Sequence, residues 1–145
     1  MIDVGTGRVT IPGEITIKPL CEKKELSEFF KKYNAQTWNV RNGWEHYYLR
    51  NFKIDNNYFF FDFMFYNEIL NRIDFCFFDN PVKNASWDDW SEAKELERKE
   101  EFEQWLSKVS GTVRNFSWGK LNAYYDSKGG SSGIMIAYAL PTSKL

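Results

Sequence analysis

His46 is the only histidine of the chain, so any relay of the Ser-His-Asp or Cys-His kind must pass through it, with Cys21 or a serine as the nucleophile. Nothing in the spacing brings those groups together. With Trp44, Tyr47 and Tyr48 beside it, His46 reads as a strand residue among aromatics, and no catalytic residue is assigned. Acid-base work by paired carboxylates has its best candidates in Asp88, Asp89, Glu92 and Glu95. Their Glu and Lys neighbours point to the wet side of a helix. The functional alternative is an acidic face that meets a basic partner, where complementary charge speeds association and sets orientation.

Three further groups could carry chemistry. Trp38, Arg41, Trp44, His46 and Tyr48 combine rings with hydrogen-bonding groups and could stack on a small ligand such as a sugar or a base. Core packing and anchoring of a protein partner fit the same residues. Asp62 is a lone carboxylate in an apolar strand, expected to pair with Arg72 or Arg50 across a sheet. Gly129-Gly130-Ser131-Ser132 resembles half of a phosphate loop, but the Lys-Ser/Thr ending and the following helix are missing, so it reads as a hairpin loop. Cys21 and Cys76 lack the spacing of a redox pair or zinc site. Cys76 reads as a free buried thiol, and no metal or cofactor is expected.

These residues must be positioned by strands and two helices. Tyr58 to Tyr66 places Phe59, Phe61, Phe63 and Phe65 on one face of a strand and Tyr58, Phe60, Asp62, Met64 and Tyr66 on the other. Such a strand belongs in the middle of a sheet. His46 to Ile54 precedes it and Ile69 to Phe78 follows, with Ile69, Ile73, Phe75 and Phe77 on one face and Asn67 at the pivot. Before this meander, Val9 to Lys18 forms a hairpin around Pro12-Gly13. Leu26, Phe29, Phe30 and Tyr33 then give a helix over 22–33. After it, Ser86 caps a long helix with Asp88 and Asp89 in its first turn and Ser110-Gly111 at its end. Trp90, Leu96, Phe102, Trp105, Leu106 and Val109 are its apolar stripe. Lys120 to Tyr125 and Ile134 to Leu140 make a last hairpin. Short connections favour antiparallel neighbours. The expectation is a single α+β domain over 1–145: one antiparallel, meander-rich sheet of six or seven strands with two helices, the longer packed across the phenylalanine face.

Composition fits one core. The chain has 145 residues, 43% hydrophobic and 27% charged, with aromatics at 19%. Rings in that quantity fill a core and leave some for contact surfaces. A net charge of −1 argues against nucleic acid as a partner. The charge is uneven: residues 56–110 hold twelve acids and six bases. Met-Ile-Asp-Val-Gly-Thr-Gly has no basic segment followed by an apolar run, and no stretch approaches a membrane span, so a cytoplasmic protein is expected.

Ser86-Trp87-Asp88-Asp89-Trp90-Ser91-Glu92, Phe102-Glu103-Gln104-Trp105-Leu106, Phe116-Ser117-Trp118-Gly119 and Tyr125 through Ser132 together resemble small bacterial proteins of the immunity type. Those proteins bind and neutralise toxins of polymorphic or contact-dependent systems. The resemblance implies a non-catalytic, toxin-binding role. Immunity families share no universal motif, so it transfers no site residue. The competing expectation is a small-ligand-binding protein or enzyme with an aromatic pocket around Trp38, Trp44 and His46. A third is self-association through the surplus rings.

Overall fold

The computed structural model describes residues 1–83 and 90–140. Its strands are β1 (Ile2–Asp3), β2 (Arg8–Ile11), β3 (Ile15–Ile17), β4 (Gln36–Val40), β5 (Trp44–Ile54), β6 (Asn57–Tyr66), β7 (Ile69–Phe78), β8 (Asn115–Phe116), β9 (Gly119–Asp126) and β10 (Ser131–Tyr138). A 3₁₀ turn (Lys23–Leu26) runs into the short helix α1 (Ser27–Lys32), and the long helix α2 covers Glu92–Ser110. Seven strands form one antiparallel sheet in the order β4-β5-β6-β7-β10-β9-β8, and β1-β2-β3 form a second sheet. The fold is α+β, with the longer helix on the large sheet.

Alternation decides which face is covered. Phe59, Phe61, Phe63 and Phe65 are buried, and the register puts Phe61 opposite Phe75, Phe63 opposite Ile73 and Phe75 opposite Ile134. This face receives both helices. Phe30 of α1 stacks on Tyr47 at 4.6 Å between centroids and reaches Phe63 at 5.2 Å. Phe102 of α2 meets Phe77 at 5.0 Å, and Trp105 meets Phe75 edge-on at 5.7 Å. The short helix therefore covers the phenylalanine strand directly, while α2 lies over β10 and β9 and reaches β7 through Phe102 and Trp105. One apolar cluster joins these residues to Val9, Ile11 and Ile17 of the small sheet.

The hairpin around Pro12-Gly13 forms as expected but with β1 in a sheet of its own. It is tied to the end of the chain: Trp118 Nε1 donates to the Val4 carbonyl at 2.8 Å, and Tyr138 Oη donates to the Gly7 carbonyl at 2.9 Å. Gly7 has a positive φ of 76°, and a Cβ there would sit 2.5 Å from the Trp118 ring. The large sheet keeps seven strands because β4 and β8, which hydrophobic patterning does not reveal, join it at its two edges.

Helix α2 starts later than the sequence suggests. Ser91 is its N-cap, with extended φ and ψ of −145° and 125°, and its hydroxyl accepts from the Lys94 N–H. Trp90 lies outside the helix, its indole donating to the Gly130 carbonyl at 2.6 Å. The expected start at Ser86, with Asp88 and Asp89, falls on residues outside those described. Of the expected stripe, Phe102 and Leu106 are buried, whereas Leu96 is 43% exposed. At its start the helix fills a notch. β10 pairs with β9 from Ser131 onward but with β7 only from Ile134 to Ala137. Glu95 takes the vacated place: Oε2 accepts from the Ser132 N–H at 3.0 Å, and its carbonyl accepts from the Ser132 hydroxyl at 2.5 Å. The Ser132 N–H, which has no β7 partner, thus finds a helix residue instead.

Candidate functional site

The side of the large sheet away from the helices carries the even-numbered side chains of β6, and no described helix or strand packs over it. Rings there touch one another: Trp38 and His46 at 5.5 Å, His46 and Tyr48 at 5.7 Å, Trp44 and Tyr66 at 5.1 Å, Phe60 and Phe78 at 5.5 Å. Of the five sequence candidates for a ligand site, Trp38, Trp44, His46 and Tyr48 therefore share this open face. Arg41 is exposed in the turn between β4 and β5.

A polar chain crosses the middle of these rings. His46 Nδ1 lies 2.9 and 3.0 Å from the two oxygens of Asp62. Asp62 sits opposite Asp74 in the β6–β7 register. Asp74 accepts a two-pronged contact from Arg72, Nε at 2.6 Å and Nη2 at 2.8 Å, and a third bond from the Tyr124 hydroxyl at 3.0 Å. Asp62 is thus paired with His46; the expected arginine, Arg72, is occupied by Asp74, and Arg50 lies over the Phe60 ring. Two carboxylates directly across a strand pair repel, and each here has its own donor. Burial raises the Asp62 pKa, Asp74 adds to the rise, and His46 and Arg72 oppose it. Burial, then Asp74, pushes Tyr124 up as well.

Tyr124 belongs to β9 and Asp74 to β7, with β10 between them. The bond is possible because the intervening residue is Gly133, where a Cβ would stand 2.8 Å from Tyr124 Oη and 3.2 Å from the Phe75 carbonyl. Around this chain lies a groove of about 470 Å³, bordered by Tyr48, Arg50, Phe60, Asp62, Asp74 and Tyr124. Its volume is in the range of small-molecule sites.

The groove offers rings for stacking and the Asp62 and Asp74 carboxylates as hydrogen-bond acceptors. Among the described residues, Asp62 is the hydrogen-bond partner of His46, and no hydroxyl or thiol is bonded to it. No group of three or more His, Cys, Asp or Glu side chains is arranged to hold a metal among those residues. Cys76 borders the groove, but burial, with Glu95 and Asp74 contributing and Arg98 opposing, pushes its thiol up to about 12. Gly129 and Gly130 lie in the hairpin turn, with the Gly130 N–H bonded to the Asp126 carbonyl, and Ser131 and Ser132 open β10.

The acidic candidates divide. Glu92 accepts from the Tyr125 hydroxyl at 3.3 Å and is exposed. Glu95 is committed to Ser132 and, through Oε1 at 2.8 Å, to Arg98. Asp74, Tyr124 and Gly133 were not singled out by sequence reasoning, whereas Tyr66 was placed on this face with Asp62. Arg72-x-Asp74-x-Cys76 could have revealed part of this, because it is the complement of the Ile73, Phe75, Phe77 face. No described helix is long and apolar enough to cross a membrane. Compared with protein-family models, curated proteins and solved structures, the chain has no significant match.

Proposed function

We propose that the protein is a non-catalytic binding module that uses the open face of its large sheet to hold another protein, in the manner of an immunity protein that neutralises a toxin in the cytoplasm. The observation that carries this reading is the grouping of Trp38, Trp44 and Tyr66, 58%, 37% and 43% exposed, at one corner of a face that no described element covers. Large rings at such a corner suit the desolvated anchors of an interface. The neighbouring polar chain is internally satisfied and enters a contact with little unpaired charge. On the helix side of the sheet, Glu92, with Asp88 and Asp89 before it in the sequence, adds carboxylates whose longer-range field draws in a basic partner.

The test is co-expression with the C-terminal domain of a secreted protein encoded beside this gene. Wild type is expected to co-purify with that domain and relieve its toxicity, and W38A/W44A/Y66A to lose both properties while keeping its thermal melt. Charge reversal at Asp88, Asp89 and Glu92 is expected to slow association and weaken its salt dependence. Protection by the triple variant equal to wild type overturns the surface; no protection by wild type overturns the role.

The groove favours a second reading, a small-ligand site in which Tyr48, Phe60 and Tyr124 flank the acceptors Asp62 and Asp74. Saturable stabilisation of the isolated protein by a small molecule would favour it over the first.

A further inference from the structure

Strand β4 ends the large sheet and pairs with β5 alone. Its register runs unbroken from Gln36 opposite Tyr48 to Val40 opposite Trp44. Among the described residues, no hydrogen bond outside the β4–β5 pairing engages the main chain of 36–40. An edge of this kind is a template for another strand, and proteins ordinarily blunt it with lysine, proline, a bulge or brevity. β4 has none of these devices: its sequence is Gln-Thr-Trp-Asn-Val, without charge or proline. The other edge of the sheet, β8, is two residues long and follows Arg114. The small sheet ends in strands of two and three residues.

We infer that β4 is a self-association edge, at which a second copy of this chain adds its own β4 in antiparallel register. A two-fold axis at Trp38 places Gln36 opposite Val40 of the second copy, Thr37 opposite its Asn39, and the two Trp38 residues opposite each other. Several features favour a second copy. The strand is uncharged, so the axis brings no like charges together. An antiparallel edge complements itself, hydrogen bond for hydrogen bond. Trp38, the most exposed of the large apolar side chains among the described residues, gains an aromatic cross-strand partner. The axis stands perpendicular to the sheet, so the two open faces lie on the same side and form one continuous surface. This inference shares Trp38 with the toxin-binding reading but rests on the β4 edge, and its test uses the protein alone.

Sedimentation velocity over a concentration series is expected to show wild type shifting from monomer to dimer. T37K/N39K sets two pairs of like charges directly across the axis and is expected to weaken the dimer by about tenfold or more. T37K/N39E sets lysine opposite glutamate twice and is expected to dimerise at least as well as wild type. Both variants should keep the wild-type far-UV spectrum and melting temperature. A monomeric wild type, or dimers unaffected in T37K/N39K, overturns the edge; equal loss in both variants overturns the register.

Discussion

Asp62 and Asp74 confront each other on adjacent strands, and the contact is tolerable because His46 serves one and Arg72 and Tyr124 the other. Removing the His46 donor leaves a half-buried carboxylate beside a second one. H46A is therefore expected to cost about 1–3 kcal/mol in urea unfolding, and adding D62N should recover most of the loss. The pH dependence follows from the raised Asp62 pKa. The folded state holds that proton more tightly than the unfolded chain, so Asp62's contribution to stability falls as pH rises from the ordinary aspartate value of 3.8 through the raised one. D62N should remove that slope, and a D62N profile parallel to wild type would refute the assignment. Asp62 was conspicuous in the sequence because it interrupts a run of rings. Its partner was not, since Arg72 and His46 both lie within one strand's reach and only the registers decide between them.

At the scale of elements, the start of α2 shows what local patterning misses. Ser86 followed by Asp89 satisfies the capping-box spacing, yet Ser91 is the residue with the cap conformation. Trp90, bonded to Gly130, stands outside α2, which begins at Glu92. Such a bond between residues 40 positions apart leaves no mark on local periodicity. S91A is expected to lower stability by about 0.5–2 kcal/mol, as read from thermal melts. The long strands were legible because one of their faces is buried and alternates. β4 was not, because most of its residues are exposed on both faces, as befits an edge. The turn that joins it to β5 holds Asn42 and Gly43 at positive φ.

Across the whole molecule, one apolar cluster runs from the small sheet through the phenylalanine strand to α2, so the parts should unfold together. The cysteines report on this. Burial raises Cys21 to about 11 and Cys76 to about 12, leaving almost no thiolate at about pH 8. A disulfide reagent is expected to find no fast-reacting thiol in the native protein and to label both at the same denaturant concentration. Earlier release of either thiol would show that its region opens independently. Fold class was readable from element order and short connections. The separate small sheet was not, because a hairpin sequence specifies its turn and alternation but not its neighbours. Those neighbours, Trp118 and Tyr138, come from the far end of the chain. The missing side chain at Gly133 has one more consequence. Because it is a gap over which the Tyr124 bond passes, position 133 judges a substitution by bulk alone. An alanine, a serine or a valine there would each act as a wedge, severing β9 from β7 on the open face while leaving the chemistry of Tyr124 and Asp74 untouched.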